Sequence, residues 1–210
     1  MICESILMEY FKNYSDELKP LLATVEAKLE KLPEGILNEI RAIYDHTARV
    51  AIYEMEEKDR QEELKKIERH LHRAKLDCYK TLCIFGEINA DSFEDNYRNI
   101  SLGDVDSGKF YPKYLELKNV AREKVIKAKS NEKAITSNEH EVSRLYQEAV
   151  IAYDDFEKFI SSNFKEIEWT VQFLRKYSKK GYIIAIIIAF VLGIITTILG
   201  SIIGKYLHLI

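Results

Sequence analysis

Turn-forming and redox-active residues are scarce in this 210-residue chain, which has three prolines, eight glycines and three cysteines. Cys3, Cys78 and Cys83 form an odd set without metal-ligand spacing. Such a set suits a reducing compartment and a packing role. No glycine-rich phosphate loop, metal cluster or nucleophile elbow is present, which removes the enzyme classes built on them. The net charge of -3 exerts no global pull on nucleic acid, so any anion site must be local. The opening MICESILMEYFKNYSDELK places Glu4 and Glu9 where a signal peptide would be apolar, and it lacks a basic leader. No repeat of solenoid period occurs. Size and composition read as one charge-rich helical domain with a sizeable core.

What the chain does have is the uncharged run YIIAIIIAFVLGIITTILGSIIG over residues 182–204. A helix of that length spans roughly 34 Å, enough to cross a hydrocarbon core of about 30 Å with some tilt. Arg175, Lys176, Lys179 and Lys180 precede the run, whereas only Lys205 and His208 follow it. The positive-inside bias then places the large N-terminal part in the cytoplasm, and insertion relies on the C-terminal helix itself. The expected localisation is a cell inner membrane crossed once.

The expected architecture is all-α. A cytoplasmic helical bundle covers 1–140, a stalk helix packed on it 141–180, a transmembrane helix 181–205 and a short external tail 206–210. Apolar periodicity predicts a first helix over 4–32 kinked at Pro20, and a second opened by Pro33 that buries Ile36, Ile40, Ile43, Thr47 and Val50. A third, over about 60–88, shows Leu64, Ile67, Leu71, Ala74, Cys78, Leu82 and Phe85 on one face. The stretch from Asn89 to Pro112 reads as a long irregular segment, rich in Asp, Asn and Gly. Its Asp104 and Asp106 match a fragment of a calcium loop but lack the other ligand positions, so they read as a solvated turn. A basic helix follows from about Lys113 to Lys129. In the last soluble helix Tyr146, Val150, Tyr153, Ile160, Phe164, Ile167, Val171 and Leu174 keep a period of 3.5, interrupted at Glu157. A second stripe, from Val142 through Leu145, Ala149, Ala152, Phe156 and Phe159, covers its first half. Gly181 is the one joint between stalk and span.

Within the span Ala185, Ala189, Gly193, Thr197 and Ser201 recur every four residues, and Gly200 with Gly204 makes a separate GxxxG. Small residues at that spacing let helix backbones approach closely in lipid, which predicts a homo-oligomer. Thr196, Thr197 and Ser201 would face an aqueous pore in a ring of four or more copies, a tetramer being favoured, and would bond back to their own carbonyls in a dimer. No charged pore ring and no intramembrane carboxylate are present, so a channel would be narrow and a proton-coupled transporter is disfavoured.

In the soluble part Lys66, Arg69, Arg73 and Lys80 fall within about 60° of one another on a helical wheel, a stripe roughly 21 Å long with His70 at its edge. The preceding helix supplies Arg41, His46 and Arg49. Paired antiparallel, the two helices would present these groups as a basic groove for a phosphate-bearing ligand. A solvated face paired to Glu39, Asp45 and Asp77 is the alternative.

The pair RAIYDHTAR (41–49) and RHLHRAKLDCYK (69–80) resembles a two-helix motif of helical proteins from prokaryotic defence and nucleotide-handling neighbourhoods. Together with the single C-terminal span, the chain resembles the membrane effectors of anti-phage systems, Hailong-type channel effectors in particular. The motif covers about twenty residues and the rest is likeness of architecture. The resemblance implies a non-enzymatic effector without cofactors, held or triggered by single-stranded DNA or a cyclic nucleotide that a nucleotidyltransferase partner makes. Two alternatives stay open. One is a tail-anchored tether or adaptor. The other is a HEPN-like ribonuclease, suggested by the Arg-x4-His spacing of Arg41 and His46, although Ala42 stands where a polar residue is usual and the two side chains lie about 140° apart on a helix.

Overall fold

The computed structural model describes residues 2–97, 102–134 and 138–207, leaving aside the side chains of residues 2–5, 178, 179, 185, 191 and 193–207. All its regular elements are helical. They are α1 (Ile2–Asn13), a π turn (Tyr14–Leu18), α2 (Lys19–Leu29), α3 (Glu34–Ile52), α4 (Glu57–Tyr97), a 3-10 segment (Leu102–Gly108), α5 (Phe110–Glu132) and α6 (Glu139–Leu207). Two compact units result, one of residues 1–97 with 112–161 and the other of 98–111 with 162–210.

The expected first helix is interrupted earlier than its proline. Pro20 has no N–H and its ring crowds the carbonyl four residues back, so the chain widens into the π turn over Tyr14–Leu18 before α2 begins. Glu30 closes α2 in a left-handed conformation, its N–H donating to Glu26 O at 2.8 Å. After Pro33, α3 and α4 form the centre of the first unit. Leu18, Leu22 and Val25 meet Ile36, Ile43 and Val50 of α3 and Leu64, Ile67, Leu71, Ala74, Cys78 and Leu82 of α4 in one core.

The C-terminal half of α4 turns a different face inward, where Cys83, Gly86, Ala90 and Phe93 are buried. This extends the helix beyond the predicted end near residue 88 and shortens the irregular segment. Phe93 packs on Tyr97 at 4.7 Å and on Tyr114 at 5.3 Å between ring centroids, and Tyr114 in turn on Phe156 at 5.2 Å. Burying these rings favours continuing the helix over ending it. Both predicted stripes of the early α6 are used: Val142, Leu145, Ala149, Ala152 and Phe156 are buried, as are Tyr146 and Tyr153. Glu157, which breaks the stripe, shares Lys28 with Asp154, both carboxylates lying 2.8 Å from Nζ.

In the second unit Leu102, Val105, Phe110, Ile167, Thr170 and Val171 are buried. Asp106, Ser107 and Gly108 follow one another at φ of 49°, 52° and 90°, and Asp106 O accepts from Lys109 N–H at 3.0 Å. Helix α6 passes through Gly181 without a break. Its bounds include the expected span, yet among the described residues no helix is long and apolar enough to cross a membrane. Ala189 is exposed, whereas the side chains of Ala185, Gly193, Thr196, Thr197, Gly200, Ser201 and Gly204 lie outside the described residues.

One glycine is dictated by packing. A Cβ on Gly86 would stand 2.5 Å from Cγ of Tyr153, so α4 accepts the phenol ring only where it has no side chain. Gly86→Ala should therefore lower stability by about 1–3 kcal/mol despite the higher helix propensity of alanine. Thermal unfolding followed by circular dichroism measures the loss, and an unchanged or raised midpoint would contradict this account of the packing.

Candidate functional site

Two residues of α3 and two of α4 bring part of the predicted basic groove together. His46 Nδ1 lies 2.7 Å from Glu63 Oε2, and His70 Nδ1 lies 2.6 Å from Glu39 Oε2. As the number rises on one helix it falls on the other, so the pair is antiparallel. Glu39 and His46 are two turns apart on α3, as Glu63 and His70 are on α4, so the imidazoles reach toward each other from diagonal positions. Their rings stack at 5.2 Å with planes 18° apart.

A carboxylate oxygen accepts hydrogen bonds, so in each pair the imidazole Nδ1 is the donor. Glu63 has further partners, Lys66 Nζ at 2.7 Å and Arg49 Nη1 at 3.9 Å. The hydrogen bond from Lys66 is the largest influence holding the Glu63 carboxyl below its usual range; burial opposes it and the bond to His46 reinforces it. The arrangement is an electrostatically closed cluster in which two acids neutralise the nearest bases. Chemically it offers two oriented imidazoles and little free positive charge.

The remaining predicted residues go elsewhere. Arg41 donates to Asn38 Oδ1 on its own helix at 2.7 Å, which turns it toward Asn38 and not into an Arg–His pair with His46. Lys80 forms an ion pair with Glu132 and lies 5.7 Å above the ring of Tyr146. Arg69 and Arg73 are exposed, one turn apart on α4, and make no ion pair among the described residues. The predicted stripe is thus continuous along α4 but electrically divided, with its ends spent on carboxylates and its middle open.

Three participants escaped the sequence reading. In the sequence Glu39 reads as a surface counterion and Glu63 has no assigned role, yet the seven-residue intervals 39–46 and 63–70 on adjoining antiparallel helices are their signal. The third is His72, beside Leu71 at the border of the apolar face. It is 9% exposed, its Nε2 is buried with no hydrogen-bond partner among the described residues, and its ring stands edge-on to His140 at 5.3 Å. It lines a cavity of about 300 Å³ with Arg73, Asp77, Lys80, Glu132 and Glu139. Burial lowers the His72 pKa and raises that of Asp77. Among the described residues no group of three acids, cysteines or histidines is arranged to hold a metal ion.

Comparison with known protein families, curated proteins and solved structures finds no match.

The buried, neutral His72 has a consequence for stability. Its folded pKa is depressed, so the unfolded chain takes up a proton first as pH drops below about 6.5. Its contribution is fully present above that pH and is lost on acidification through the folded value. Melting temperatures measured between pH 7.5 and 5.5 should fall less in His72→Leu than in the wild type; an equal fall would remove His72 as the source.

Proposed function

We propose that this chain is a single-pass membrane effector in anti-phage defence, a homo-oligomeric ion channel whose helical body binds a phosphate-bearing ligand that sets the gate. The observation that carries the reading is the surface of α6 from Tyr182 to Phe190. Tyr182, Ile183, Ile184, Ile186, Ile187, Ile188 and Phe190 are each more than half exposed. At 100° per residue they point all round the helix rather than along one face. Transfer out of water is worth about 1.5–3 kcal/mol for each large apolar side chain, so their sum rivals the stability of a domain. A lipid interior covers such a cylinder on every side, and a single docking groove does not. The uncharged continuation to residue 204 supplies the length, and the cations before it supply the orientation.

Oligomerisation follows from the small-residue row of the span, and the hydroxyls of Thr196, Thr197 and Ser201 are the groups proposed to line the pore. For the ligand, the cations left without carboxylate partners matter most. Arg69 and Arg73 are the pair proposed to grip phosphate, with Arg41 of α3, which donates to Asn38, as a further candidate, while His46, Arg49, Lys66, His70 and Lys80 are held by internal acids. The adaptor reading also has an observation in its favour. Trp169, Phe173 and Tyr177 form an exposed aromatic ladder with successive centroids 5.3 and 4.3 Å apart, a surface suited to a partner helix.

Ion flux from liposomes separates the readings. The full chain should pass ions in a manner altered by short single-stranded DNA or a cyclic nucleotide. Gly193→Leu should abolish flux, and Arg69→Glu with Arg73→Glu should reduce ligand affinity about tenfold or more. Liposomes that stay sealed under every ligand condition would rule out the channel in favour of the adaptor.

A further inference from the structure

A groove of about 1000 Å³ runs between α4, α5 and the first turns of α6, away from the histidine pair. Its ends are built alike. At one, Tyr146 donates to Glu132 at 2.8 Å and Glu132 is paired with Lys80. At the other, Tyr153 donates to Glu87, which is paired with Arg122. The tyrosines are seven residues apart on α6, so the posts stand about 10 Å from each other. Between and beside them the walls are apolar. Ile84 and Ile88 of α4 and Ile126 of α5 are 59%, 56% and 63% exposed, which is unusual for isoleucines facing one another across a groove.

The charges are not symmetric. Arg122 is consumed by Glu87 and by Asp91 at 3.1 Å, so that end is neutral. At the opposite end Lys129 and Lys133, one helical turn apart, line the groove and make no ion pair among the described residues. One end is therefore cationic and the rest is greasy. Both tyrosine hydroxyls are already donating inside the wall, so the groove has little to offer the polar edge of a nucleobase, which would lose hydrogen bonds to water on entry. An alkyl tail has no such requirement.

We propose that this groove binds a single-chain anionic amphiphile, with its tail along Ile84, Ile88 and Ile126 and its head group at Lys129 and Lys133. The site is separate from the arginines proposed to grip phosphate, so either can fail alone. A free fatty acid, an alkyl phosphate and an anionic lysolipid share this chemistry, and competition tells them apart.

The full chain in phosphatidylcholine nanodiscs would be photolabelled with a diazirine analogue of dodecanoate and the labelled peptides mapped by mass spectrometry. Saturable labelling around Ile84–Ile88 and Val125–Ile126 is expected. Dodecanoate, dodecyl phosphate and lysophosphatidylglycerol compete as separate arms, inorganic phosphate does not compete, and the strongest competitor names the source. Lys129→Glu with Lys133→Glu should weaken competition by the anionic amphiphiles about tenfold while leaving that by dodecanol unchanged. Ile126→Asp, at an exposed position that folding tolerates, should remove the label. Labelling that does not saturate, that ignores both variants, or that is displaced by an acidic helical peptide but by none of the amphiphiles would overturn the proposal.

Discussion

The first unit depends on one helix burying two different faces along its length. In its first half α4 presents Leu64, Ile67, Leu71, Ala74, Cys78 and Leu82 to α2 and α3. In its second half Gly86, Ala90 and Phe93 are the buried positions, with the ring of Tyr153 against Gly86. A single straight helix can serve both cores only if the apolar stripe shifts round it, and the shift falls at Leu82 and Cys83, which are buried next to each other. Burial pushes the thiols of Cys78 and Cys83 up to about 12, which makes them inert packing atoms rather than reactive ones.

Electrostatics follows the same division. Most bases of the first unit that approach the interior are accompanied by an acid, His72 being an exception. Lys118 is 2% exposed and pairs with Glu94 at 2.7 Å and Asp91 at 3.3 Å. Lys28 meets Asp154 and Glu157, and the histidine pair meets Glu39 and Glu63. A half-buried charge without a partner costs several kcal/mol, so this pairing is what packing charged side chains into a small bundle demands. It also limits function, because a cation held by an internal carboxylate attracts an external anion only weakly. Two neighbouring pairs of cations that make no ion pair among the described residues, Arg69 with Arg73 and Lys129 with Lys133, are the candidate anion sites.

The all-helical character and most of the core were legible because they rest on periodicity alone. The stripes through Ile36 and Ile43, Leu64 to Leu82, and Val142 to Phe156 needed no knowledge of their neighbours. The end of α4 was not legible, since it depends on Phe93 finding Tyr114, a residue beyond the intervening segment. Nor was the division of the basic stripe. A helical wheel shows that Lys66, Arg69, Arg73 and Lys80 share a face, but whether each is free depends on Glu63 from its own helix and Glu132 from α5. Glu157 shows the same limit from the other side: it breaks the apolar pattern because it serves Lys28, at the far end of the sequence.

Two kinds of exposed isoleucine occur in this chain, and their surroundings separate them. Those at Ile183, Ile184, Ile186, Ile187 and Ile188 encircle a helix and continue into an uncharged run, a pattern that the proposed lipid interior would cover on every side. Ile84, Ile88 and Ile126 line one concave surface with tyrosine–glutamate posts at its ends and, at one of them, two lysines that make no ion pair among the described residues. A lipid interior would be a poor match for that second surface, because the posts and lysines would enter it too. A discrete occupant with one charged end fits it, and the contrast rests on geometry rather than on hydrophobicity, which is the same in both places.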